Sequence, residues 1–239
     1  MATATNTARL EARISTELHS LLKRADTAAL VPVITGSQKL VVHAESATDI
    51  LAVLSLKREY PTLSLVLVGV TEGWRVADRI AAAGVPVIAS AVNDLPAAFD
   101  QIAATQSNVG RMKAAGVTVA IGMIDDDDTR QAMHGAQYAG NLVALTRVPG
   151  ATGLSWNDAF AAITSKPAQA IGMGSEIGSL QPGRRGDVVI WDGDPLEVTS
   201  GVEAVWIDGV RQPLDTRQTR LRARYAHPQE GNLPKAYDR

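Results

Sequence analysis

The sequence predicts an α/β protein with parallel strands in about four βα units, followed by a small β appendage. Short apolar segments alternate with amphipathic segments between residues 39 and 123, which is typical of βα units with parallel strands. Aromatic residues make up only 4% of the chain, and buried parallel strands are built mainly from Val, Ile and Leu. Beyond Gly172, glycine and proline separate short β segments, which indicates antiparallel strands and not a fifth βα unit.

The individual elements follow from the periodicity of apolar residues. Leucine and isoleucine recur at helical spacing from residue 8 to 30 and predict an N-terminal helix. The predicted strands lie at 39–44, 63–70, 85–90, 117–123, 187–191 and 203–207. The predicted helices lie at 48–60, 72–84, 94–106, about 108–115, about 129–148 and 155–172. Ser155 is placed to cap the last of these helices.

Four portions of the chain are expected from this order of elements. They are an N-terminal helix at 1–30, the βα portion at 31–175, the small β portion at 176–214 and an Arg-rich tail at 215–239.

Composition excludes several classes of function. The 239 residues are 46% hydrophobic and carry a net charge of −2, so the chain is long enough for a core and lacks the basic balance of a nucleic-acid-binding protein. It contains no cysteine, which excludes disulfides and thiolate metal sites. No apolar run reaches the length of a membrane span, and the start lacks the pattern of a signal peptide. If the start is the natural one, a cytoplasmic location is expected.

One segment carries a specific resemblance. The stretch "IGSLQPGRRGDVVIWDGDPLE", from residue 177 to 197, closely resembles the C-terminal signature of the amidohydrolase superfamily, and most of all its imidazolonepropionase-like branch. Gly178 to Leu180, Pro182–Gly183 and Asp187 match the signature, while Gly186 replaces the usual alanine. The segments "VVHAESATDI" and "VTEGWRVADRIAAAGVPVI" look like the fifth- and sixth-strand units of the same family.

The resemblance implies a fold and a chemistry. Members of the superfamily are metal-dependent (β/α)8 hydrolases, so the chain is expected to form a partial TIM-type barrel, with strands 5 to 8 and the second half of a small β-sandwich. By resemblance, His43 is the fifth-strand metal ligand, and zinc or another divalent metal is the expected cofactor. The alternative interpretation of His43 is a buried histidine that is hydrogen-bonded to the backbone. The sixth-strand ligand position holds Gly69, which has no side chain to offer, and no H-x-H pair occurs in the sequence.

Four consecutive aspartates, 125 to 128, follow the last predicted parallel strand. By resemblance, Asp125 is a metal ligand and also the catalytic general base at the end of the eighth strand, with a shift of one residue in either direction left open. The other three suit the N-cap and first turn of a helix, where carboxylates interact favourably with the helix dipole.

Two functions from different classes are expected. In the first, the chain is part of a hydrolase that cleaves an amide or cyclic amide C–N bond in a small-molecule substrate. In the second, it is a truncated, non-catalytic half-barrel that acts as a scaffold or partner subunit. An open half-barrel exposes two edges and an apolar face, and we expect one of three arrangements to cover them. Residues 8–30 cover one edge, the chain forms homo-oligomers, or a second chain supplies strands 1 to 4. A small-molecule-binding α/β domain of another family is the third possibility.

Overall fold

The computed structural model describes residues 28–122 and 134–226. Its strands are β1 Lys39–Ala44, β2 Ser64–Gly69, β3 Val87–Ala89, β4 Val119–Ile121, β5 Val188–Trp191, β6 Val202–Ile207 and β7 Val210–Gln212. Its helices are α1 Val31–Ile34, α2 Ala47–Glu59, α3 Ala77–Ala82, α4 Asn108–Ala114, α5 Gly135–Ala144, α6 Trp156–Ile163, α7 Ser165–Ile171 and α8 Arg217–Ala226. Most of the predicted N-terminal helix and the aspartates 125 to 128 lie outside the described residues.

The first four strands form one parallel sheet in the order β1-β2-β3-β4. One face of this sheet packs on the helices and forms the main core, where fully buried side chains from four helices meet the strands: Ile50, Ile80, Met112 and Leu142. The strands contribute alternate residues to this core because successive side chains of a strand point to opposite faces. The prediction of an α/β fold with about four βα units is confirmed.

The opposite face of the sheet is only partly covered. Val41 and His43 of β1 share this face with Val66 and Val68 of β2, since the paired residues are Val41 with Val66 and His43 with Val68. Val41 is 58% exposed. An apolar residue this exposed on the edge strand fits the predicted partial barrel, whose inner face is open on this side.

The β appendage is an antiparallel sheet in the order β5-β6-β7. It contains one strand that the sequence analysis did not predict, β7. Asp208 and Gly209 join β6 to β7 with φ of 52° and 74°, and a positive φ at both central residues is the hallmark of a type I′ hairpin turn. An Asp-Gly pair between apolar residues was therefore the signal that predicts this hairpin.

The prediction of a helix at 94–106 is wrong. The segment forms only one short 3-10 turn at Phe99–Gln101, and its three large apolar side chains, Leu95, Phe99 and Ile102, are strongly exposed. Pro96 disfavours helical conformation at the residue before it. The apolar side chains at helical spacing do not pack on a neighbouring element, so burial does not stabilise a helix here.

The helix predicted at 155–172 is divided into α6 and α7. The division falls at Thr164, whose φ of −126° and ψ of −84° lie outside helical values. Pro167 explains the break, because a proline in a continuous helix removes a backbone hydrogen bond and clashes with the preceding turn, whereas a proline in the first turn of a new helix is tolerated. Ser155 caps α6 as predicted, and its hydroxyl accepts from the Asp158 amide.

Helix α2 begins with a serine cap whose contribution is measurable. The Ser46 hydroxyl accepts a hydrogen bond from the Asp49 amide at 3.1 Å. Replacing Ser46 by alanine is expected to lower the free energy of unfolding by about 1 kcal/mol, because one amide of the first turn loses its acceptor. Urea unfolding of Ser46→Ala measures the loss. Ser55→Ala, inside the same helix, is the control, and an equal loss in both variants would contradict the capping role.

Candidate active site at the carboxyl edge of the parallel sheet

His43 lies at the carboxyl end of β1 and bonds to a carboxylate. Its Nε2 atom is 2.6 Å from Oε1 of Glu45, and the other oxygen of that carboxylate, Oε2, accepts the Thr71 amide at 2.9 Å. An ionised carboxylate only accepts hydrogen bonds, so an ionised Glu45 accepts this one from the Nε2–H group of His43. The imidazole is 56% exposed whereas Glu45 is 7% exposed. A fixed, buried carboxylate therefore orients an accessible imidazole.

Gly69 makes this contact possible. It adopts a φ of 86°, and a Cβ atom on Gly69 would lie 2.3 Å from Glu45 Oε1 and 2.7 Å from His43 Nε2. Real Cβ atoms do not approach other atoms this closely, and the left-handed backbone conformation itself favours glycine. The space above Gly69 is thus taken by the His43–Glu45 contact.

Glu72 is a second buried carboxylate at the same edge and joins three segments of chain. Its Oε2 accepts the Ala47 amide at the start of α2, at 3.1 Å, and its Oε1 accepts the Ala103 amide, at 2.9 Å. Burial acts to raise the pKa of Glu72, but hydrogen bonds from the Ala103 and Ala47 amides and from the Arg75 guanidinium outweigh it, so the pKa lies below its usual value. The Glu72 amide also donates to the Glu45 carbonyl at 3.0 Å.

Asn108 fixes the loop that follows β2. Its side chain donates to the Val70 carbonyl at 2.8 Å and accepts the Trp74 amide at 2.9 Å. Val70 has a positive φ of 58°, which is costly for a β-branched residue and persists only where the surroundings hold it. This buried amide on α4 therefore holds in place the turn that carries Thr71 and Glu72.

The described residues do not fit a metal ion in their present arrangement. Two ligands of one tetrahedral zinc ion, each about 2.1 Å from it, lie about 3.4 Å apart. His43 Nε2 and Glu45 Oε1 are closer than this, at hydrogen-bond distance. Within residues 28–122 and 134–226, no cluster of three or more His, Cys, Asp or Glu side chains suited to a metal occurs. Asp125, the predicted second ligand and base, lies outside the described residues.

Comparison with protein-family models identifies the lineage. Residues 70–211 match the family described as the amidohydrolase family. The chain belongs to the amidohydrolase family. The match includes Thr71 and Glu72, which follow β2, and nearly all of the β appendage. It confirms the resemblance that the segment at 177–197 predicted.

Two curated proteins are similar to parts of the chain. The chain is 43% identical to the amidohydrolase tasK of Hapsidospora irregularis over 60 residues, and this alignment covers 25% of the chain and 6% of tasK. It is 33% identical over 125 residues to the imidazolonepropionase of Maricaulis maris, which is 52% of this chain and 28% of that protein.

Solved structures share the fold. An amidohydrolase from Thermotoga maritima matches 88% of this chain with a TM-score of 0.68 and 22% identity. A zinc-bound adenosine deaminase from Xanthomonas campestris matches 78% of this chain with a TM-score of 0.54 and 21% identity. The chain spans 53% and 49% of those two structures, so it covers about half of their length.

Two residues of the edge escaped the sequence analysis, Glu45 and Glu72. Glu45 directly follows β1 and Glu72 is the third residue after β2, and polar residues in the segments that follow the strands of a (β/α) barrel lie at its active-site edge. That position was the signal that would have identified them.

Within the described parts of the chain, no helix is long and apolar enough to cross a bilayer.

Proposed function

We propose that this chain is the barrel half of a metal-dependent hydrolase that cleaves a non-peptide C–N bond, an amide or cyclic amide, when another polypeptide completes the site. The observation that carries the proposal is the match to the amidohydrolase family over residues 70–211. The position of His43 at the carboxyl end of β1 supports it, because barrel enzymes place their chemistry at that edge.

In this proposal the chain contributes His43 and Asp125 to the site. Both assignments rest on the resemblance, with His43 as a ligand of zinc or another divalent metal and Asp125 as ligand and general base. Glu72 and Asn108 keep the turn after β2 in place, so they are positioning residues. The substrate itself depends on the loops of the whole barrel, half of which belong to the completing polypeptide.

Exposed apolar surface supports a partner. On one face of the β appendage, Val189, Ile207 and Val210 are 45%, 52% and 63% exposed, and β1 and β4 are the two edges of the parallel sheet. Contiguous apolar faces and open strand edges favour association. The partner in this proposal is a second copy of the chain or a chain that supplies strands 1 to 4, and no membrane or nucleic acid is involved.

Complementation tests the function. The chain is purified alone and together with a polypeptide that carries the first four strands of the Maricaulis maris imidazolonepropionase, and both samples are assayed with divalent zinc on a panel of amides and cyclic amides. We expect no hydrolysis by the chain alone and measurable hydrolysis by the complex. His43→Ala and Asp125→Asn in the complex are expected to lower kcat/KM at least about 100-fold, as for removal of a group that stabilises the transition state directly.

A specific observation favours a second function, that of a non-catalytic partner subunit. Gly69 stands at the position of a metal ligand by resemblance, and the space above it is filled by the His43–Glu45 contact. A stable complex that remains inactive on every substrate of the panel, with His43→Ala indistinguishable from the unmodified chain, would contradict the hydrolase and favour this subunit role.

A further inference from the structure

We propose that Glu45 competes with a divalent metal ion for the Nε2 atom of His43, and that Gly69 provides the space in which the competing contact forms. The inference concerns the same edge as the proposed hydrolase and rests on that proposal for His43 as a metal-facing residue. It adds a residue with a defined effect on metal affinity, which the sequence resemblance does not assign.

The Glu45 carboxylate is fixed from the protein side. It is 7% exposed, and its Oε2 atom is held by the Thr71 amide at 2.9 Å. The Ala44 carbonyl accepts the Val70 amide and the Glu45 carbonyl accepts the Glu72 amide, at 2.9 and 3.0 Å. The backbone around Glu45 is thus bound to the turn after β2. The position of the carboxylate is therefore set by these hydrogen bonds, and so is its contact with His43.

The contact occupies the atom that a metal requires. A metal-bound imidazole nitrogen carries no hydrogen, whereas Nε2 donates its hydrogen to Glu45 in the present contact. The bond is charge-assisted, which makes it one of the stronger hydrogen bonds in proteins. A metal ion that binds Nε2 must therefore break a hydrogen bond first, which lowers its apparent affinity.

Gly69 and the contact depend on each other. A Cβ atom at this position would lie 2.3 Å from Glu45 Oε1 and 2.6 Å from His43 Cδ2, so a side chain at residue 69 and the present contact exclude one another. A metal-binding side chain at position 69 would have to displace Glu45. The glycine is thus not only a missing ligand, because it also opens the space that the competing carboxylate uses.

Glu45 as a metal ligand is the opposite role, and it predicts the opposite result. If Glu45 bound the metal together with His43, its removal would weaken metal binding. The 2.6 Å separation of the two side-chain atoms is shorter than the roughly 3.4 Å between two ligands of one zinc ion, so the observed geometry favours competition.

Zinc titration by equilibrium dialysis tests the competition. The samples are the unmodified chain, Glu45→Ala, the double variant Glu45→Ala/His43→Ala, and Glu203→Ala as a control at an exposed glutamate. We expect Glu45→Ala to bind zinc at least about tenfold more tightly than the unmodified chain, because a charge-assisted hydrogen bond no longer opposes binding. The double variant is expected to lose the whole gain.

Three results would overturn the inference: equal affinity in Glu45→Ala and the unmodified chain, weaker affinity in Glu45→Ala, or a gain that persists in the double variant. Because the Ala variant also removes the acceptor of the Thr71 amide, Glu45→Gln is titrated beside it. This variant keeps an acceptor for that amide but no charge, and it is expected to show a smaller gain. Zinc affinity is measured without substrate or partner, so an inactive complex in the complementation assay would refute the hydrolase and leave this result standing.

Discussion

Replacement of Gly69 by alanine is expected to lower the free energy of unfolding by about 2–4 kcal/mol, as the sum of left-handed backbone strain and overpacking. The strain arises because the residue has a φ of 86°, and the overpacking because its Cβ would lie within 3 Å of both Glu45 and His43. Neither neighbour is the backbone, but Glu45 is held by the Thr71 amide and cannot move without loss of that bond.

Gly116 is a matched control for this substitution. Its φ is 89°, close to that of Gly69, and a Cβ at Gly116 meets nothing within 4 Å. Gly116→Ala is therefore expected to cost only the backbone strain, about 1–2 kcal/mol. Urea unfolding of both variants separates the two effects. Equal losses would show that the His43–Glu45 contact does not fill the space above Gly69.

A double-mutant cycle measures the coupling energy between residues 69 and 45. If the clash with the carboxylate is part of the cost, Gly69→Ala combined with Glu45→Ala should destabilise the chain by at least about 0.5 kcal/mol less than the sum of the single variants, because the two residues touch. Additive losses would argue against steric coupling between residues 69 and 45.

Replacement of Glu72 by alanine is expected to cost about 3 kcal/mol at neutral pH, because it leaves two amides of the buried edge without their acceptor. The amides are those of Ala47 and Ala103, so the start of α2 and the segment before α4 lose their common anchor. Glu203→Ala, at an exposed position, is the control and should change stability by less than about 0.5 kcal/mol.

The same carboxylate predicts a pH dependence of stability. The folded-state pKa of Glu72 lies below its usual value, so its contribution is fully present above the unfolded pKa of about 4.3 and is lost as the pH falls through the lower folded pKa. Glu72→Gln should remove this part of the acid dependence. The free energy of unfolding of both proteins is measured between about pH 3 and pH 7. A constant difference between the two over this range would contradict an ionised, hydrogen-bonded Glu72.

Periodicity predicted the main elements because their packing agrees with their local pattern. Strand β1 has the predicted bounds, Lys39–Ala44, and its alternate residues Leu40 and Val42 pack on the helix-covered core. The segment 94–106 shows the limit of this reasoning, since its apolar spacing is helical but Pro96 and the absence of a surface to pack on leave Phe99 94% exposed.

The candidate site was predictable only in part. His43 was identified by its place at a strand end and by the resemblance, but its partner Glu45 was not, because a carboxylate two residues away gives no periodic signal. Gly69 was read as the loss of a ligand. Its second property, the space it leaves for Glu45, depends on the distance between the ends of β1 and β2 and is therefore visible only in three dimensions.

The most direct measurement is the ¹⁵N spectrum of the His43 ring in the chain on its own, assigned with His43→Ala and recorded before and after one equivalent of zinc. The result predicted is an Nε2 atom that carries a hydrogen, keeps it when zinc is added, and is deprotonated by zinc in Glu45→Ala. An Nε2 atom of the unmodified chain that loses its hydrogen to one equivalent of zinc would contradict the contact between His43 and Glu45 as the feature that governs this edge.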